Sequence, residues 1–296
     1  MDGDKDRAPG LREVLLDWGL FGLVAVSIAV TYARLPTAEL YNVDVEGLAG
    51  GLGRALVFLN YPTALVAIAV LLVVGDRLGH PGTSAVAAVA GVMCAVVAWP
   101  GVVDQSDLDA RPVNAIPAAG VAIALALTAL ALARGGLGRP VPWSGWDAAR
   151  LALGALLVLT ALPWIAADLG VSLGGPFLSD EPRPEPGQPR LIAVHLGHHH
   201  GLDGTLLALA ALALSRIVSQ ASRRVRPVLA FYLALMLVYG LANALQDFWL
   251  EQLVKRGTTS LELPEMTRPG FTPAWAAIVA AAALLHLAAR RVSTKP

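Results

Sequence analysis

The sequence predicts an all-α integral membrane protein, a bundle of about eight transmembrane helices with both termini in the cytoplasm. Three observations carry that expectation. The 296-residue chain is 56% hydrophobic and only 15% charged, whereas an ordinary soluble domain has roughly 25% charged residues. Its apolar runs approach the roughly 20 residues that a helix needs to cross a hydrocarbon core. They lack the period-2 alternation of a barrel strand, so helices satisfy the backbone in lipid. Finally, Lys and Arg are divided unevenly between the loops that join these runs.

The first span, 15–33, follows a tail of mixed charge, Met1-Asp2-Gly3-Asp4-Lys5-Asp6-Arg7, without a small-x-small cleavage site after it. It reads as a retained helix and not as a removed signal peptide. The second span, 55–74, contains Asn60-Tyr61-Pro62. The third, 85–103, holds the single cysteine, Cys94, which excludes an intrachain disulfide, a thiolate metal cluster and a redox Cys-x-x-Cys pair. The fourth, 115–133, opens near Pro117, and the eighth, 274–289, follows Thr272-Pro273. Proline suits a first helical turn, where its missing N–H would have no partner. These shared starts fit a duplicated helical hairpin and a Pro- and Ala-rich composition equally well. The fifth span, 151–167, is Leu- and Ala-rich; Thr160 in it and Asn60 in the second are candidates for hydrogen bonds between helices. The sixth, 191–217, breaks the pattern, because a histidine cluster stands at its start. The seventh, 228–249, carries a polar stripe toward its end.

An even number of spans sorts the loops into two sets. The set containing the termini has fourteen basic residues against seven acidic, and the opposite set has eight against fifteen. The positive-inside rule therefore places both termini in the cytoplasm of a cell-membrane protein. All seven tryptophans fall near span ends, as an interfacial belt requires. The Arg216 to Arg226 group reads as a stop-transfer signal and a contact for anionic lipid. The whole of 1–296 is expected to form one membrane domain, with tails at 1–12 and 290–296. A proline-rich outer loop at 171–190, expected to be extended, could cap the outer cavity or lie free. Zero net charge argues against nucleic acid as a partner, which leaves the bilayer and a lipid or lipid-linked substrate.

Chemistry concentrates at one junction. His195-Leu-Gly-His198-His199-His200-Gly-Leu-Asp203-Gly holds four of the six histidines. With helix from about Val194, the side chains of His195, His198, His199 and Asp203 share an arc of about 140°. Imidazoles and a carboxylate at that spacing can converge on a divalent ion such as Zn, Fe or Mn. On the seventh span Asn243, Asp247 and Glu251 lie at i, i+4 and i+8 on the same side of the membrane. Asp247 and Glu251 are the candidate catalytic carboxylates, able to move a proton beside the metal.

His195-x-x-His198-His199 resembles one histidine box of the membrane fatty acid desaturases and alkane hydroxylases. Those di-iron enzymes need about eight histidines in several boxes on the cytoplasmic side, whereas this chain has six and the cluster is expected outside, so their activity is not carried over. Asp44 and Glu46 resemble the catalytic carboxylates of lipid-linked-sugar glycosyltransferases. The function expected is a metal-dependent hydrolase or transferase acting on lipid or envelope compounds from the outer face. The alternatives are a transporter or channel with an acidic outer vestibule, and a non-catalytic subunit of a membrane complex.

Overall fold

The computed structural model describes residues 9–99, 102, 104, 107–174 and 194–293. It is all-helical: 72% of the described residues are helix and none of them is strand. The helices are α1 (Arg12–Arg34), α2 (Gly47–Leu59), α3 (Pro62–Leu78), α4 (Pro81–Ala95), α5 (Ala115–Gly135), α6 (Gly145–Thr160), α7 (Leu162–Asp168), α8 (His200–Leu214), α9 (Arg226–Trp249) and α10 (Pro273–Ser293). Five helical stretches are long and apolar enough to cross a membrane, or seven if each of two bent pairs counts as one span. Their outward faces carry exposed Leu23, Val92, Leu156 and Leu284, an apolar surface of the kind that suits lipid.

The stretches expected as the second and fifth spans are each a bent pair of helices. α2 meets α3 at 44° and α6 meets α7 at 59°. Pro62 and Pro163 stand at the two breaks. Each lacks an N–H for the ladder, and its ring crowds the carbonyl four residues back, so the chain turns there. The second bend directs Trp164 and Asp168 into the bundle, where both are buried. Thr160 does not reach another helix, because its hydroxyl donates to Leu156 O and Leu157 O of its own turn. Proline starts are not confined to the second, fourth and eighth spans either, since Pro81 begins α4 and Pro227 lies in the first turn of α9.

α8 is the axis of the bundle, packed on α9, α3, α6 and α1. At about 1.5 Å per residue it is ~8 Å short of a hydrocarbon core about 30 Å thick. Irregular chain, from Val194 to His199, leads into α8. Non-helical backbone within a bilayer is tolerated only where protein or a wet cavity surrounds it, and Val194, His198 and His199 are buried in the protein. α8 and α9 cross at Gly204 and Gly240, where a Cβ on either would lie 2.5 Å from the other's carbonyl oxygen. Only glycine permits that approach.

At the arginine-rich end, Arg216 is not simply a lipid contact. Its guanidinium pairs with Glu13 at 3.0 Å and Asp147 at 3.1 Å, tying α1 and α6 to the end of α8. Arg226 donates to Ser219 O and Ala221 O, while Arg223 and Arg224 are exposed. The tail expected at 1–12 and the tail at 290–296 lie partly outside the described residues, as do 175–190 of the proline-rich loop and the first three residues of the sixth span.

Candidate functional site

The helix expected from Val194 begins instead at His200, with His199 as its N-cap. His195, His198, His199 and Asp203 therefore do not present one helical face. Gly197 turns the chain at φ +103, and a Cβ there would lie 2.6 Å from the Tyr32 hydroxyl. Gly197 N–H donates to Ala167 O at 2.9 Å, and His198 N–H to the Tyr32 hydroxyl at 3.3 Å. Replacing Gly197 by alanine is expected to cost roughly 1–3 kcal/mol from backbone strain. Thermal unfolding in detergent reads that loss, and a melting temperature equal to wild type would show that the turn does not need glycine.

This turn deals the imidazoles to different partners. His198 lies between two carboxylates, its Nε2 on Asp203 Oδ1 and its Nδ1 3.5 Å from Asp168 Oδ1, with the Phe58 ring edge-on at 5.0 Å. All three of these polar side chains are buried, and a buried carboxylate is costly unless a proton or a cation is shared with it. The His198 ring is the group placed to carry that proton for both acids. His195 is stacked between Tyr41 and His199 and, among the described residues, has no carboxylate at its ring nitrogens; its Nδ1 meets Leu196 O at 3.1 Å. His200 has its Nδ1 3.9 Å from Asp203 Oδ2.

His199 faces the seventh span. Its Nε2–H donates to His195 O at 2.8 Å, which leaves the Nδ1 lone pair toward Glu251 Oε1 at 2.9 Å. An imidazole lone pair and a carboxylate oxygen at that distance need a cation between them, a proton or a metal. With a proton the two form a buried ion pair, imidazolium on carboxylate. For a metal, His199, Asp247 and Glu251 each offer one ligand atom, all within 4.8 Å of one another. All three are oriented from behind. His195 O fixes the tautomer of His199, Trp164 Nε1–H donates to Glu251 Oε2 at 2.6 Å, and Gly201 N–H donates to Asp247 Oδ2 at 2.6 Å. Such outer partners set ligand direction and basicity at metal sites.

Two features of the helices build this arrangement. Glu251 sits in a π-helical turn, Leu250–Val254, that follows α9 and widens it by one residue, a distortion common at functional sites. Gly201 lets the Trp164 ring lie against α8, since a Cβ there would be 2.2 Å from Cη2.

A cavity of about 150 Å³ opens beside the cluster, lined by the four histidines with Tyr41, Arg54, Asp247, Glu251, Lys255 and Glu265 among others. Among the described residues the chain after α9 lies over it; most of the proline-rich loop, 175–190, lies outside the described residues. Met266 N–H donates to Gln246, and Tyr61 and Tyr239 both donate to Thr267 O. Asn243, one turn deeper than Asp247, is fully buried, with neither amide atom hydrogen-bonded among the described residues.

Of the residues expected to bind metal, His199 joins the three-residue group. His198 and Asp203 pair with each other next to it, and His195 supports it through its carbonyl and its ring. The expected catalytic pair Asp247 and Glu251 stand among the candidate ligands. Sequence reasoning misses Trp164, Asp168, Tyr32 and Arg54. Trp164, expected in the interfacial belt, is instead buried against Glu251. Asp168, an acid four residues after Trp164 at the end of an apolar run, is the signal that this run turns inward. Comparison of the chain with protein families, curated proteins and solved structures finds no match.

Proposed function

We propose that the chain is a multi-pass protein of the cell membrane, with eight membrane segments and both termini cytoplasmic. It acts as a divalent-metal-dependent hydrolase or transferase on a lipid or envelope substrate at its outer face. The observation that carries the reading is the convergence of His199, Asp247 and Glu251 within 4.8 Å at the wall of a cavity. Three protein ligands and an open side are the pattern of a catalytic metal site, whereas structural sites close with four. One imidazole and two carboxylates suit Zn, Mn or Fe. A bound ion would supply Lewis acidity toward a substrate oxygen or a water. His195 O holds His199 in the tautomer that points Nδ1 at the site, and Trp164 and Gly201 N–H keep both carboxylates turned inward. The His198 imidazole, between Asp168 and Asp203, is the neighbouring group able to hold a proton.

The orientation rests on the excess of arginine at the end away from the histidines. Counting α8 as the sixth segment rests on its central position and apolar composition. Transport is the weaker reading for a geometric reason. Below Asn243, α8 and α9 meet backbone to backbone at Gly204 and Gly240, which closes the way between these two helices toward the arginine-rich side.

The test is elemental analysis of detergent-purified protein without a histidine tag, beside His199→Ala. The wild type is expected to hold about one divalent ion per chain, and the variant none. A wild type that retains no zinc, manganese or iron after supplementation would sink the metalloenzyme reading.

A further inference from the structure

Arg54 has no part in the metal cluster, yet it is the most unusual side chain beside it. It lies on α2 and is only 6% exposed. Its guanidinium carbon is 5.7 Å from the Tyr32 ring centre. It has no ion-pair or hydrogen-bond partner among the described residues, and its Nε is fully buried. A buried cation is costly to keep unless an anion pairs with it, and the planar fork of five N–H donors matches an oxyanion in two-point fashion. The Tyr32 face stabilises the charge in part and leaves the donors unused.

Where those donors point decides the ligand. Arg54 lines both the 150 Å³ cavity and a smaller one of about 30 Å³ that contains Asn60, Asp107 and Asp109. His200 is shared by the two walls as well, and its buried Nδ1 has no hydrogen-bond partner among the described residues. The small cavity has room for water alone. The larger one extends from Arg54 and His200 to His199, Asp247 and Glu251, with Glu265 also in its wall. Asp247, Glu251 and Glu265 stand against two cations, Arg54 and Lys255, in that wall; the excess of carboxylates repels a multiply charged anion more than a singly charged one. A phosphodiester has that charge, carries it on two non-bridging oxygens that a guanidinium fork accepts, and would place its ester bond toward the metal ligands.

We propose that Arg54, with His200 beside it, is an oxyanion subsite that holds the phosphodiester group of the ligand. This names the substrate class of the cluster; it rests on the metal reading for turnover and does not rest on it for binding. The source of the phosphodiester is either a phospholipid headgroup or a soluble ester.

The experiment is thermal unfolding of the full chain, wild type, Arg54→Met and Arg54→Lys. Each is titrated with glycerophosphoethanolamine in detergent, and separately compared in nanodiscs with and without phosphatidylethanolamine, metal-loaded and chelated. The wild type is expected to gain stability with at least one probe. Arg54→Met is expected to bind roughly ten- to a hundredfold more weakly, the range for losing hydrogen bonds to a charged group. Should Arg54→Met not fold, weaker binding by Arg54→Lys, which keeps the charge without the fork, carries the same meaning. Stabilisation by the soluble ester assigns the site to the headgroup alone, and stabilisation only in the lipid nanodiscs assigns it to an intact lipid. Equal shifts in wild type and both variants, or none in the wild type with either probe, overturn the subsite. A protein that binds no metal but keeps the Arg54-dependent shift rejects the metal centre and leaves the subsite standing.

Discussion

Gly204→Val is expected to remove most of the folded protein from detergent extracts, and Gly240→Val to do the same. A Cβ at Gly204 would lie 2.5 Å from Gly240 O and 2.7 Å from Ala244 N. The atoms it meets are backbone, which cannot rotate away as a side chain does. Overpacking a core costs roughly 1–3 kcal/mol where neighbours can yield. Here α8 and α9 must move apart, so the cost lies at the upper end of that range or beyond. The separation also pulls Gly201 N–H from Asp247, because both contacts lie along the same helix pair. Gly22→Val is the control, since nothing stands within 4 Å of a Cβ there. Fluorescence-detected size exclusion after a heating series reads all three. A Gly204→Val protein as heat-stable as Gly22→Val would mean that α8 and α9 are not held in close contact.

The second large effect is at Glu251, where two substitutions separate architecture from chemistry. Glu251→Ala leaves His199 Nδ1 and Trp164 Nε1 without their buried partner, and breaking such a pair costs about 3–5 kcal/mol. Glu251→Gln keeps the shape. Its amide oxygen accepts from Trp164 and its NH₂ donates to the Nδ1 lone pair of His199. Stability is therefore expected to stay within about 1 kcal/mol of wild type, the worth of one hydrogen bond, while metal binding is lost with the carboxylate charge. Urea or thermal unfolding together with metal counting gives both numbers for each variant. If Glu251→Gln keeps the metal, Glu251 is not a ligand; if Glu251→Ala is as stable as Glu251→Gln, the bond to Trp164 has no structural weight.

Much of the outline is legible in the amino-acid sequence. The apolar runs mark where helices lie, because in lipid each helix must satisfy its own backbone, and that demand is written in consecutive residues. Asp247 and Glu251 are legible as partners for a similar reason, since they lie at i and i+4 along one apolar run. Pro62 and Pro163 are visible as well, but the 44° and 59° turns at those breaks depend on what the two halves pack against. α8 starts at His200 and not near Val194, because an apolar-to-polar junction reads as helix until a glycine with positive φ turns it away.

Local composition and periodicity are enough to specify an all-helical chain with several helices able to cross a membrane, and a histidine cluster beside two acids of the seventh span. They do not specify which imidazole meets which carboxylate, a choice made by packing. Gly197 sends His198 to Asp168 and Asp203, and Gly201 lets Trp164 in behind Glu251. Arg54, distant in sequence from all of them, comes to the same cavity because α2 bends away from α3. Ligand sets and buried charges are made by contacts between elements, and spacing along a chain does not contain the distances across a bundle.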